Sequence, residues 1–368
     1  MARNRVIYQS EALYVSKNAG SLGSTNHKQL ERVQSANFNY TINRQDINQF
    51  GELARIDSLI LDPPTVSTDF SYYLTDGFNE RCLGFYVQTG SGGAGGVHTD
   101  PGGFASGHLT AGSGKNIFIA TAAEGTDINL DGALTSDDSV IGIGNCYLSN
   151  YSVDMAVGSI PTVSVSMEGA NVRSDRSADG IDSPAVDQSA GTSLGGTVTL
   201  PTPTTGVSAI AALRPGDITL SLTNFDGDTI AEVNDSAGDA HVQSVSISVP
   251  LSRSPISRLG SRFPFAREVD FPVTVSMSVS AIMNETVAYN LVDKLDASPK
   301  AATVTLKDKE GKQTVIWTLS GAKIDSESIS SSIGSNKTVD ITLSTQIGGP
   351  NDLTNGLYMS GSNGTAAF

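Results

Sequence analysis

Two stretches of this chain superimpose on two others, and that duplication limits the fold more than any property of its composition. Setting Val33-Gln34-Ser35 over Val242-Gln243-Ser244, an offset of 209 residues (242 − 33), gives an ungapped match of Val33–Thr75 to Val242–Asn284. Of 43 positions 11 are identical, among them Arg44/Arg253, Ile47/Ile256, Gly51/Gly260 and Pro63/Pro272; average composition gives roughly 3. A second match sets Leu148–Met167 over Ile324–Leu343 at an offset of 176 (333 − 157), with Ser152/Ser328, Gly158/Gly334, Ser159/Ser335, Thr162/Thr338 and Val163/Val339 identical. A repeat of this size marks one structural unit used twice. The offsets differ by 33 (209 − 176), so copy one carries about that many extra residues. The expected place is the Gly-rich, acidic stretch 89–140, which copy two crosses with the compact Ala301–Thr318. Copy one is then expected over 1–172 and copy two over 207–347. Between them, 173–206 is rich in Ser, Asp, Gly, Thr and Pro and reads as a linker or interface arm. The tail 348–368 reads as packing on neighbours or as disordered.

Within each copy the apolar residues alternate. Phe38, Tyr40 and Ile42 stand against Asn37, Asn39, Thr41 and Asn43; Ile247, Val249 and Leu251 stand against Ser246, Ser248 and Ser252. Val66, Phe70 and Tyr72 oppose Thr65, Ser67, Asp69 and Ser71, as Val275, Met277 and Val279 oppose Thr274, Ser276, Ser278 and Ser280. Val163-Val165-Met167 and Val339-Ile341-Leu343 repeat the pattern. Period-2 alternation means strands with one dry and one wet face, so the fold is expected to be all-β. An ordinary wet face carries Lys, Glu and Arg, whereas these carry Ser, Thr and Asn. Such a smooth hydrophilic wall suits a water-filled bore, or equally the outer sheet of an extracellular β-protein.

The charge balance, 38 acidic against 23 basic residues for a net of −15, argues against tight binding to a phosphate backbone. Cys82 and Cys146 make no disulfide framework or metal pattern and read as reduced thiols. The first thirty residues lack an apolar signal core, and no apolar run approaches the ~20 residues of a membrane span. A soluble product of the cytoplasm is expected. His27, His98, His108 and His241 are scattered and fit no catalytic motif, and the glycines of 90–103 lack the ending of a phosphate loop. One motif fits a calcium loop: Asp127, Asn129, Asp131, the Ala133 carbonyl, Thr135 and Asp138 fall at ligand positions 1, 3, 5, 7, 9 and 12. Position 12 is the shorter Asp and no amphipathic helices flank it, so a metal-free hairpin tip fits as well. The Arg44/Arg253 pair, just after equivalent strands, reads as a structural ion pair across a ring of subunits or as a DNA or tape-measure contact in its bore.

The runs Arg32–Leu74 (RVQSANFNYTINRQDINQFGELARIDSLILDPPTVSTDFSYYL) and Asn145–Asn171 (NCYLSNYSVDMAVGSIPTVSVSMEGAN) resemble the tail-tube (major tail) proteins of long-tailed phages. They cover about a fifth of the chain, and the duplication extends the likeness to copy two. The resemblance implies β-sandwich domains with long hairpins, six of them forming a ring whose strands line one inner barrel, and rings stacking into a tube. Members that fuse two domains build the ring from three chains, a trimer of pseudo-hexameric symmetry. It further implies a structural, non-enzymatic virion protein, assembled in the host cytoplasm and located in the tail, whose bore carries double-stranded DNA without specific binding. Implied partners are the chain itself, the tape-measure protein, and tail terminator and baseplate proteins, with no membrane and no required cofactor. Two alternatives stay open: a baseplate or connector ring of the same fold, and a calcium-dependent β-sandwich adhesin. The adhesin calls for exposed aromatics and a secretion signal, and the single Trp317 reads instead as a strand core residue.

Overall fold

The computed structural model describes residues 11–361, apart from 90–102, 111–113, 123–125, 129–133, 135–137, 177–179, 206–217, 223–224, 226–227, 233–240, 295–296, 308–312 and positions 261, 287, 335, 351 and 353. The alternating segments become strands as their pattern requires. In copy one these are β1 (Glu11–Ser16), β2 (Val33–Thr41), β3 (Arg44–Ile47), β4 (Asp57–Ile60), β5 (Thr65–Tyr73), β6 (Lys115–Thr121), β7 (Ser139–Ala156), β8 (Thr162–Gly169) and β9 (Asn171–Arg176). In copy two they are β10 (Ile218–Ser221), β11 (Val242–Pro250), β12 (Arg253–Ile256), β13 (Ala266–Val269), β14 (Val273–Ile282), β15 (Lys300–Lys307), β16 (Gln313–Ser330), β17 (Thr338–Ile347) and β18 (Gly356–Gly361). Two short helices, α1 (Phe78–Leu83) and α2 (Ser106–Thr110), interrupt copy one. The fold is all-β.

Eight of these strands lie side by side and antiparallel, in the order β2-β5-β8-β7-β11-β14-β17-β16. The order is one four-strand run repeated: β2-β5-β8-β7 in copy one, β11-β14-β17-β16 in copy two. The two runs agree to the residue. Ser35 faces Ser71 as Ser244 faces Ser280, and Thr162 faces Tyr73 as Thr338 faces Ile282. Even the irregularities coincide. Each first strand is bulged at its Gln (Val33/Ser35, Val242/Ser244), and the β7–β8 and β16–β17 ladders slip at equivalent points. The protruding hairpins β3–β4 and β12–β13 share their register too, Arg44 opposite Ile60 and Arg253 opposite Val269. Gly51 and Gly260 sit in these hairpins at φ of +97° and +87°, a conformation that costs glycine little.

β7 and β16, 18 residues each, pass from this front sheet into a second layer. Behind copy one the first half of β7 pairs with β6 and β9, and β1 continues the layer. Behind copy two, β16 pairs with β15 and β18, and β10 with β15. The dry face of the front sheet (Phe70, Val153, Val165, Ile247, Met277, Leu343) and the rear layers (Ile117, Ile143, Val304, Trp317) share one hydrophobic core. β6 falls inside the interval 89–140, where it takes the place β15 takes in copy two. Residues 356–361, expected within a C-terminal tail, form the fully buried β18.

Residues 180–205 pack on copy one. Ile181 and Val198 join Tyr14, Phe118 and Val140 in a second core cluster. Asn145 Oδ1 accepts from the Val186 N–H (2.8 Å) and Asn171 Nδ2 donates to the Pro184 carbonyl (2.8 Å). The arm lies so close to β7 that a Cβ on Gly144 would stand 2.2 Å from the Pro184 oxygen.

Candidate assembly surface

Ladder partners share a face, so the register assembles the wet side of the front sheet row by row. One row reads Ser35, Ser71, Ser164, Ser152, Ser248, Ser276 and Ser344: serine on seven adjacent strands, ended by Lys323 on the eighth. A neighbouring row reads Tyr73, Thr162, Asp154, Ser246, Ser278, Thr342 and Ser326. Asn37, Asn39, Thr41, Thr65, Ser67 and Asp69 continue the same face on β2 and β5, and Thr274 and Ser280 on β14. Asn43 and Ser252 fall just beyond β2 and β11, in the turns into the hairpins. Sequence reading left out the β7, β8, β16 and β17 contributions, among them Ser152, Asp154, Ser164, Asp340 and Ser344, although Val163-Val165-Met167 and its repeat carried the same alternation. The carboxylates on this wall are Asp69, Asp154, Glu168 and Asp340. It is a hydroxyl surface tinged with negative charge.

The two ends of the front sheet are edges. Strand β2 presents Phe38, Tyr40 and Ile42 at 37%, 59% and 38% exposure, whereas their copy-two equivalents Ile247, Val249 and Leu251 are buried. The difference has a visible cause: β11 is covered by β7 of copy one, and among the described residues nothing pairs β2 on its outer side. A groove of ≈ 590 Å³ runs beside β2, lined by Leu13, Leu30, Val33 and Ala36 among others. A second, of ≈ 530 Å³, runs beside the second half of β16 and is lined by Phe225, Ile230, Leu291, Ile324 and Glu327 among others. The hairpin joining β3 and β4 exposes Phe50 and Leu53 completely, and Leu259 is its counterpart in copy two. Exposed apolar surface of this extent marks an interaction site.

The joint between the copies shows what such an edge becomes when it is covered. β11 pairs β7 with Ser248 opposite Ser152 and Ile247 opposite Val153. Beneath it Phe104 packs edge-on against Trp317 of copy two (4.9 Å) and against Tyr151 (5.1 Å), and stacks on Phe85 (4.0 Å). Arg253 lies over the Tyr147 ring (5.2 Å) and donates to the His108 carbonyl (2.8 Å); Arg267 donates to Glu168 (3.1 Å). Arg253 thus makes a contact across copies, while Arg44 stays exposed. Glu80 of α1 is buried under copy one, its Oε1 accepting from Tyr72 (2.9 Å) and Tyr151 (3.1 Å), and burial raises its carboxyl above the ordinary range.

His108 gives the joint a pH dependence. Burial, then the neighbouring Lys115 and Arg253, pull its imidazole down to about 3. Released by unfolding it takes a proton near 6.5, so its stabilising contribution is complete above that pH and is lost as pH falls toward 3. At about 1.4 kcal/mol per unit, His108 is expected to contribute about 2–3 kcal/mol of destabilisation by pH 4.5. The difference between wild type and His108→Gln in urea unfolding at pH 7.5 and 4.5 reads this contribution, the variant being the less destabilised of the two at pH 4.5. Glu80 shifts in the opposite sense, but it is present in both proteins and cancels in the comparison.

Of the calcium-loop residues, Asn129, Asp131, Ala133 and Thr135 lie outside the described residues; Asp127 is exposed and Asp138 buried. Among the described residues no group of three or more His, Cys, Asp or Glu is arranged to hold a metal, and no helix is long and apolar enough to cross a membrane.

No family model and no curated protein matches the chain. Among solved structures it is similar to the anti-feeding prophage cap (AFP tube terminating cap), at 11% identity and a TM-score of 0.27, over 42% of this chain and 95% of that one. It is also similar to the 6-fold symmetrised anti-feeding prophage baseplate, at 16% identity and a TM-score of 0.23, over 40% of this chain and 92% of that one. At such low TM-scores neither likeness bears on what this chain does.

Proposed function

We propose that this chain is the subunit of a phage-type tail tube, a structural protein that acts by forming rings and stacking them around a bore for double-stranded DNA. The observation that carries the reading is the joint between copies. It is head-to-tail: the last strand of one four-strand run meets the first strand of the next. Among the described residues the outer side of the first strand (β2) and of the second half of the last strand (β16) carries no ladder. A heterologous contact of that kind either closes into a ring or grows without limit. Three chains of eight strands close a 24-stranded barrel with six equivalent runs. Closure also removes the open edges that make β-proteins aggregate.

With its wet face inward the barrel has hydroxyl-lined walls. Serine, threonine and asparagine keep water in the bore without gripping phosphate, and Asp69, Asp154 and Asp340 repel it. The dry face must stay on the core, so the hydroxyl rows are the natural lining. The apolar tips at Phe50, Leu53 and Leu259 project from the sheet and fit contacts with the next ring, a terminator or a baseplate. A baseplate or connector ring would use the same surfaces in a single layer.

Negative-stain electron microscopy of the purified protein is the direct test. Hollow rings or tubes with three-fold end views are expected. Two-lobed monomers at every concentration would sink the proposal, and the number of rings per particle separates a tube from a connector.

A further inference from the structure

We infer that the free edge of β2 pairs with the free edge of β16 from a second copy in one defined register, Asn39 opposite the second copy's Ser328. The inference rests on the proposed ring and adds to it the residues of the seam. Its source is the joint already present within the chain. There Ser248 faces Ser152, and Ile247 faces Val153. The repeat offsets carry Ser248 to Asn39 and Ser152 to Ser328. They carry Ile247 to Phe38 and Val153 to Ile329. Asn37 then meets Ser330, and Tyr40 meets Glu327.

Transferring the register in this way is warranted because the ladders on both sides of it are congruent. β2 sits on β5 as β11 sits on β14, and β16 on β17 as β7 on β8, down to the shared bulges. Backbones that match in this detail present the same outward row of N–H and C=O groups. The exposure of Phe38 and Tyr40 fits the same seam, since their equivalents are buried wherever the partner strand exists. So do the two grooves, one beside each free edge, where an adjoining copy would enter.

The seam is chemically poorer than the joint it copies. Where the joint has Arg253 over Tyr147, the seam has Arg44 and Lys323; where the joint has Arg267 with Glu168, the seam has Ser58 and Ser344. No counterpart of the Phe104–Trp317 contact arises, because position 141, equivalent to Trp317, is Ile. Rings therefore come apart at three seams into intact chains before any joint opens.

The test is paired cysteines in the full chain. Cys82 and Cys146 are buried and free, so they stay out of the reaction. Asn39→Cys with Ser328→Cys, oxidised or bridged by a short bis-maleimide under assembly conditions, should give covalent dimers and trimers on a denaturing gel. Ser35→Cys with Ser328→Cys, displaced by about 13 Å along the strand, should give at least tenfold less. Rings seen by electron microscopy without the Asn39/Ser328 cross-link, or with the displaced pair reacting instead, overturn the register and leave the ring standing. A wild-type chain that never forms rings overturns both.

Discussion

A chain carrying Phe38→Asp and Tyr40→Glu should fold normally and form no rings. Both side chains are partly exposed in the single chain, so the substitutions act on a surface whose changes are usually worth within about 0.5 kcal/mol. In the proposed ring the same positions lie on the dry face of the seam, against Ile329 and Glu327. A carboxylate buried there has no cation to meet, and at position 40 it would also face a second carboxylate across the strands. Each such burial costs about 2 kcal/mol or more, so the pair should weaken association by on the order of 1,000-fold or more. Sedimentation reads the loss and circular dichroism confirms that the fold survives. Ile247→Asp, the equivalent change inside the chain, should instead unfold the protein, because its seam is already closed and Ile247 is buried. One substitution with two outcomes, disassembly at Phe38 and unfolding at Ile247, is the signature of a repeated interface. If the edge variant assembles as well as wild type, β2 is not the seam.

Trp317→Ala should produce the largest loss of stability of any single truncation at the joint. Its indole is fully buried, edge-on to Phe104 and 6.2 Å from Tyr151. Removing a buried aromatic costs about 3–5 kcal/mol through lost contacts and the cavity left behind. Urea unfolding followed by circular dichroism should show the midpoint falling by that amount, with Trp317→Phe recovering part of it. Because Trp317 is the only tryptophan, its fluorescence in the wild type reports the joint directly. A change under about 1 kcal/mol would mean that the two copies are not held together at this cluster.

The duplication, the strands and the hydroxyl faces were legible because each is local: a period of two, or a constant offset, can be read along the chain. Strand order was not. That β11 lies against β7, and so makes one copy lead into the next, depends on contacts about a hundred residues apart. β18 was hidden for a different reason. Gly356–Gly361 is buried on both faces and has no alternation to betray it, and Gly- and Asn-rich sequence surrounds it. The aromatic joint escaped in the same way, since Phe104 and His108 lie in a stretch whose glycines suggest a bare loop. Glu80 gave no signal at all: a lone acid on a short helix reads as surface until Tyr72 and Tyr151 are seen to enclose it.

The continuous pairing of β7 with β11 also works as a gauge. It fixes the bend between two successive four-strand runs inside one polypeptide, before any second molecule arrives. In the proposed ring each chain is a finished third of the circumference, and the seams have only to repeat a curvature that has already been set. The width of the bore is then a property of the monomer. Alterations at the seams decide whether the circle closes, whereas alterations at β7–β11 decide how many chains it takes.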